Sequence, residues 1–234
     1  MNYFIYTSYI AFCFCLFICF IHFIKLIRLG VPKDLSEKSG SITTGVLYSN
    51  TVAMLPMQKE SAYKHLPTYI AGILLHIGSF IALLCFLFLF FYLFTKDAIS
   101  AFFFRHTVIS SCIAFTLWCT SCFGIGLIIK RITSKKLRPI SNADDYISTG
   151  IVTLFQLISA KLFTFYAFDK ILHQFFSHEM HELIFYAYFL LATLLFLYFP
   201  FGKLRHAVYY FAARYHLGFF YGRRGTWPPK TITN

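Results

Sequence analysis

Histidine placement is the feature of this sequence that most directly suggests chemistry. The chain has nine histidines among 234 residues. His76 stands apart because it lies in the uncharged run GILLHIGSF, four residues after Gly72 and therefore on the same side of a helix. A buried imidazole without a polar partner costs on the order of a few kcal/mol. An ionisable side chain at such a depth therefore predicts a functional role.

A second histidine, His206, follows a later apolar run in the segment FPFGKLRH. Two neutral imidazoles on facing helices can hold a haem iron from both sides, and a glycine leaves room for the flat macrocycle. Two simpler explanations stay open from spacing alone. His206 could lie among lipid headgroups, and His76 could hydrogen-bond Ser79 or a backbone carbonyl of a neighbouring helix.

Five apolar runs are long enough to position these histidines in a bilayer. Hydrophobic residues make up 58% of the chain and charged residues only 13%, which favours a membrane protein over a soluble domain. A helix that crosses a bilayer needs about 20 apolar residues. We therefore predict an all-α membrane protein with five transmembrane helices. The predicted spans are 3–26, 67–94, 107–129, 147–168 and 183–201.

The distribution of lysine and arginine predicts how these spans are oriented. Of the 21 basic residues, 17 lie at or beyond the end of the first, third or fifth span, three follow the second or fourth, and Lys161 lies inside the fourth. By the positive-inside rule the N-terminus is outside and the C-terminus is cytoplasmic. The charge of +12 does not indicate nucleic-acid binding, because the basic residues fill the gaps between apolar runs. We expect a multi-pass protein of the cell inner membrane, surrounded by the lipid bilayer.

The sequence predicts two segments of different character. Residues 1–202 form a transmembrane domain that includes a long cytoplasmic loop at 29–66, and residues 203–234 form a cytoplasmic tail beside the membrane. Long connections such as this loop are often functional. Aromatic and basic residues at 209–215 predict a helix along the inner membrane surface. Contact with anionic lipid and docking of a cytoplasmic partner would each explain the tail.

Three short motifs resemble those of membrane cytochrome b subunits. They are LLHIGSF in the second span, K-R-x5-L-R-P followed by D-D-Y after the third, and FPFGKLRH after the fifth. The chain is similar to the gamma subunit of respiratory nitrate reductase and to the related membrane subunit of heterodisulfide reductase. The resemblance implies an electron-transfer subunit, inactive alone, that passes electrons between membrane quinol and a cytoplasmic iron–sulfur subunit. We expect that subunit to dock on 29–66 and 203–234.

The resemblance also implies a ligand set for one haem b near the cytoplasmic side. Its axial ligands are His76 and His206, which would bind the haem iron. Gly72 would leave room for the macrocycle, and Lys203 and Arg205 would neutralise the haem propionates by charge-assisted pairing. Lipid phosphate is the alternative partner for the two cations.

The family's outer haem has no matching ligands in this chain. The two positions that would hold it are Phe86 and Tyr188. Phenylalanine cannot bind iron, and tyrosine does so only in special settings. We therefore predict a single haem. An outer haem bound by His106 with His178 or His181 stays open as an alternative.

Quinone binding is expected from the resemblance, and three basic residues are candidates for it. Arg105 and His106 fall where the family places a basic residue at the opening of the third span. Lys161, within the fourth span, could bind a quinone carbonyl, pair with Asp169 or extend its ammonium toward the outer surface.

A haem-free protein is the rival interpretation, either a membrane anchor for a soluble enzyme or a small transporter. A transporter usually shows internal repeats or helices broken at mid-depth. The sequence shows neither. An anchor without haem would give His76 no function.

Overall fold

The computed structural model describes residues 2–30, 34–55, 63–95, 106–172 and 178–229. Side chains are described for 3–30, 34–55, 63–91, 106–165 and 182–229. Within these ranges the chain is helical and contains no strand. The helices are α1 (Asn2–Leu29), α2 (Ile42–Asn50), α3 (Leu66–Thr95), α4 (Thr107–Thr133), α5 (Ala143–Leu172), α6 (His178–Tyr198) and α7 (His206–Arg223).

Several of these helices are long and apolar enough to cross a membrane. Four of them, α1, α3, α4 and α5, meet this condition alone, and α6 with α7 adds a fifth if the pair is one broken span. Many of their large apolar side chains are exposed, as expected for surfaces that face lipid. The predictions of an all-helical chain and of several helices long and apolar enough to span a membrane are confirmed for the described residues. The count of five and the orientation stay predictions.

The chain forms two compact units, each built from two separate stretches of sequence. The first, called here the bundle, contains Met1–Cys15 and Pro67–Lys203, and the second, called here the small unit, contains Leu16–Leu66 and Leu204–Asn234. The predicted domains, 1–202 and 203–234, divide the chain differently. That division stays a prediction.

Aromatic residues fill the core of the bundle. Phe86 of α3, Phe155 of α5 and Tyr188 and Phe196 of α6 are each at most 4% exposed. The rings of Phe86 and Phe196 are 4.8 Å apart, and those of Phe155 and Tyr188 are stacked at 5.3 Å. Tyr9 of α1 packs against Phe86 at 5.8 Å. Aromatic contacts of this kind stabilise a core beyond the area they bury.

Small residues let α3, α4 and α5 approach closely. A Cβ at Gly78 would overlap the Thr120 side chain, and one at Gly124 would overlap Thr153. Small residues at such contacts allow membrane helices to pack with their backbones near one another. Gly78, which belongs to the LLHIGSF motif, therefore has a packing role in the bundle.

Reciprocal hydrogen bonds fix the start of α5. The Asn142 side chain accepts from the Asp145 backbone N–H, and the Asp145 carboxylate accepts from the Asn142 N–H, both at 3.1 Å. This capping box satisfies two of the backbone donors that a helix leaves unpaired at its first turn. It positions Asp145 at the end of the bundle.

The small unit contains regular structure where the sequence predicted a long loop. Within 29–66, α2 forms and packs antiparallel to α7, with Ser41 near Gly222 at one end and Ser49 bonded to Arg214 at the other. Glycines line the contact and allow the two backbones to approach, since a Cβ at Gly45 would overlap the Gly222 backbone. The predicted helix at 209–215 is part of α7.

Three arginines of the tail contact the 29–66 segment of the small unit. Arg214 donates to the backbone carbonyl of Ser49. Arg223 donates to the Ser36 carbonyl at 3.0 Å, and Arg224 pairs with Asp34. Contact of the tail with anionic lipid and docking of a cytoplasmic partner both stay predictions.

Candidate functional site

His76 lies on the side of α3 that faces away from the bundle core. The core side of α3 carries Ala82, Phe86 and Leu89, which are at most 2% exposed, whereas the His76 side chain is exposed. A Cβ built at Gly72 meets no described atom within 4 Å. The helix surface at Gly72, one turn from His76, is therefore open. The surface at Gly72 therefore would not obstruct a flat macrocycle bound beside His76.

His206 is the first residue of α7 and is also exposed. A single helical turn from Lys203 to Arg205 precedes it. His206 and Arg205 belong to the small unit, whereas His76, Gly72 and Lys203 belong to the bundle.

Lys203 forms an ion pair with the Asp145 carboxylate. Arg131 of α4 contacts the same carboxylate at 3.0 Å. Asp145 thereby joins the K-R end of α4, the D-D-Y start of α5 and the GK segment after α6. The sequence predicted a haem propionate or, as the alternative, a lipid phosphate as the partner of Lys203. In the structure Lys203 pairs with the carboxylate of Asp145. Asp145 could have been recognised from the D-D-Y motif.

A second polar contact connects the same two motifs. The Tyr198 hydroxyl contacts the Asp144 carboxylate and lies 2.7 Å from the Ser148 hydroxyl. A Cβ at Gly202 would overlap the Tyr198 ring. The glycine of FPFGKLRH therefore leaves room for the tyrosine that reaches back to α5. Two of the motifs that carry the resemblance lie together at this end of the bundle.

The two positions that correspond to outer-haem ligands lie inside the aromatic core. Phe86 and Tyr188 are both 0% exposed, and their ring centroids are 6.4 Å apart. Rings of Tyr9, Phe155 and Phe196 surround them. Side chains of the bundle occupy the space around both positions.

The histidines of the alternative outer site are only partly described. His106 is exposed and is the residue before α4, where its carbonyl accepts from the Ser110 N–H at 3.0 Å. The side chains of His178 and His181 lie outside the described residues. The structure therefore provides no geometry for this pairing.

Among the described residues, the structure shows no contact between the quinone candidates Lys161 and His106. Lys161 is exposed on α5, beside the buried Leu162 and Phe163. His106 is exposed at the start of α4. Arg105 and the side chain of Asp169 lie outside the described part of the chain.

Gln156 is a buried polar residue that the sequence-based search missed. It lies on α5, is 0% exposed, and its Nε2 donates to the Leu75 carbonyl at 2.9 Å and to the Ser79 hydroxyl at 3.0 Å. Ser79 in turn donates to the Leu75 carbonyl at 2.7 Å. Ser79, suggested as a partner for His76, thus bonds Leu75 and Gln156. The signal was a lone amide inside a predicted span.

No cluster of three or more His, Cys, Asp or Glu side chains is placed to hold a metal ion in the part of the chain that the structure describes. A haem iron needs only two protein ligands, since the macrocycle supplies the others. The donor chemistry of the two exposed histidines is therefore compatible with haem.

The fold and these residues define a class, an all-helical chain with several helices able to span a membrane. Comparisons with family models, with characterised proteins and with solved structures found no match to this chain. The resemblance to membrane cytochrome b subunits rests on the three sequence motifs.

Proposed function

We propose that this chain is the haem b-containing membrane subunit of a respiratory oxidoreductase. It would pass electrons between membrane quinol or quinone and a cytoplasmic iron–sulfur subunit, as the motif resemblance implies. We further propose five spans in the cell inner membrane, with the N-terminus outside and the C-terminus in the cytoplasm.

One observation carries this proposal. His76 is exposed on an apolar helix, and the surface one turn away, at Gly72, is open. An ionisable side chain within an apolar span is a candidate functional residue. A flat group that ligates His76 could lie along the open surface at Gly72.

The residues of the chain would act on such a group in distinct ways. His76 and His206 would donate nitrogen lone pairs to the iron, and Arg205 would neutralise a propionate. A haem held there supplies one-electron transfer, and its potential is set by ligation, burial and nearby charge. Because Lys203 is paired with Asp145, it would reach a propionate only by sharing or leaving that carboxylate.

The aromatic core supports a single haem. The outer-ligand positions carry Phe86 and Tyr188, and both side chains pack among other rings with no exposed surface. A second macrocycle at this place would have to displace several buried rings. Loss of these contacts would cost several kcal/mol, about 3–5 for each large aromatic truncated in a core.

Quinone would bind through a basic residue within the bilayer. The Lys161 ammonium could donate to a quinone carbonyl, with Arg105 and His106 as alternatives near the opening of α4. The exposed faces of the small unit, within 29–66 and 203–234, would dock the iron–sulfur subunit.

Haem content tests the proposal. The full chain, purified in detergent, would be analysed by a reduced-minus-oxidised spectrum and by the pyridine haemochrome assay. We expect one haem b per polypeptide. A protein without haem would overturn the proposal and favour a haem-free anchor or transporter, and a ratio near two would place a second haem at the outer histidines.

Histidine variants assign the ligands. We expect His76→Leu or His206→Leu to abolish the low-spin spectrum while the protein still inserts in the membrane. His65→Leu is the matched control, because His65 is exposed just before α3 and has no proposed role in haem binding. Retention of the full spectrum in both ligand variants would contradict the assignment.

A further inference from the structure

Gln156 holds the turn of α3 that carries His76. Its Nε2 bonds the Leu75 carbonyl and the Ser79 hydroxyl, which lie one residue before and three residues after that histidine. Gln156 is completely buried on α5, so this contact joins two helices of the bundle. Nothing in the predicted ligand set accounts for it.

The orientation of the amide follows from its partner. A backbone carbonyl only accepts hydrogen bonds, so the amide nitrogen of Gln156 must face Leu75. The Oε1 atom then lies over Gly78, where a Cβ would come within 2.9 Å of it. The absence of a side chain at 78 leaves space for Thr120 and for this amide. Oε1 has no hydrogen-bond partner among the described residues. Burying an unpaired carbonyl oxygen costs free energy, which the donations to α3 offset.

These contacts fix the rotation of α3 about its axis. Successive residues of a helix are about 100° apart, so Leu75, Ser79 and Gly78 share the side that meets α4 and α5. His76 projects about 100° around the axis from Leu75. A small rotation of α3 would therefore move the imidazole sideways relative to any group it ligates.

We propose that Gln156 is a positioning residue for His76, an inference that rests on the proposed haem function. Through the Leu75 carbonyl and the Ser79 hydroxyl it sets the direction in which the imidazole meets the iron. Gly78 contributes to the same arrangement, because a side chain there would overlap Thr120 and press on the amide. Residues that support a metal ligand typically change metal affinity about 10–100-fold when they are lost.

Gln156→Met tests the inference, because methionine keeps the length of the side chain and removes its donors. In the haem-loaded full chain we expect haem to be held about tenfold more weakly. We also expect the low-spin electron paramagnetic resonance signal and the midpoint potential to shift, because both depend on ligand orientation. Ser159→Ala is the control, since the Ser159 hydroxyl is buried on the same helix and, among the described residues, bonds the backbone of its own helix at Phe155.

The outcomes separate the two proposals. If wild type binds haem and Gln156→Met lowers thermal stability but leaves the signal and the potential equal to those of Ser159→Ala, the amide only joins helices and the inference is wrong. If wild type lacks haem, the proposed function fails, and this inference fails with it. If Gln156→Met does not accumulate, Ser79→Ala decides the matter, because it removes one of the two contacts: a shifted signal supports the inference and an unchanged one overturns it.

Discussion

The guanidinium of Arg224 forms a bidentate pair with the carboxylate of Asp34. Its Nε lies 3.3 Å from Oδ2 and its Nη2 lies 3.3 Å from Oδ1, so the guanidinium bonds both oxygens. The two residues are 190 positions apart in the chain. This pair connects the segment before α2 to the end of α7, and it makes the small unit sensitive to acid.

The stability of the small unit should fall when Asp34 is protonated. The hydrogen bond from Arg224 lowers the pKa of Asp34 from 3.8 to about 2, and the Ser36 backbone N–H and hydroxyl contribute to the decrease. A carboxyl whose pKa is lower in the folded state stabilises the fold above its unfolded pKa. That contribution is therefore present above about pH 4 and disappears as the pH falls toward 2.

Tryptophan fluorescence can follow this transition. Trp227 packs against Tyr221 in the small unit, with ring centroids 4.9 Å apart, and Trp118→Phe removes the other tryptophan. We expect Asp34→Asn to flatten the dependence of stability on pH between 4 and 2. Glu37→Gln is the control, because Glu37 is exposed in the same segment. Equal pH profiles for Asp34→Asn and the parent protein would refute the role of this pair.

The contact between α2 and α7 should not tolerate a methyl group at Gly45. A Cβ there would overlap the backbone of Gly222 and would come within 2.5 Å of the Gly218 carbonyl oxygen. Backbone atoms cannot yield as a flexible side chain does. We expect Gly45→Ala to destabilise the small unit by about 1–3 kcal/mol, the usual range for overpacking.

Gly126→Ala provides the matched control for this substitution. A Cβ at Gly126 of α4 meets no described atom within 4 Å. Alanine has a higher helix propensity than glycine by about 1 kcal/mol, so this variant should be as stable as the parent or slightly more stable. Thermal unfolding followed by circular dichroism compares the two variants. A Gly45→Ala protein with the same unfolding temperature as the parent would show that the helices can separate without cost.

Installing histidines at the outer positions should not create a second haem site. In Phe86→His/Tyr188→His the two imidazoles would stand in a core already filled by Phe155, Phe196 and Tyr9. We expect the haem-to-polypeptide ratio to remain that of the parent, and the double variant to unfold at a lower temperature. A ratio higher by one haem, measured by pyridine haemochrome, would mean that the rings move aside easily.

Membrane character could be predicted from the sequence because it depends on local composition. A run of about 20 apolar residues inserts as a helix whatever its neighbours are, since the backbone must satisfy its own hydrogen bonds in lipid. The predicted spans 67–94 and 107–129 accordingly lie within α3 and α4. The helix α5 begins at Ala143, four residues before the predicted span 147–168, because the capping box of Asn142 and Asp145 adds a polar first turn.

The tertiary structure decided which side of each helix meets another. Gln156 reaches Leu75 across 81 residues, and Asp34 reaches Arg224 across 190. No local pattern specifies such pairs, because they form only when distant helices pack together. For the same reason the sequence predicted a loop where α2 packs on α7, and it suggested Ser79 as a partner for His76 where the fold bonds Ser79 to Gln156. Composition determined that this chain is helical and that several of its helices are apolar enough to span a membrane. Packing between distant segments determined the surroundings of each candidate residue.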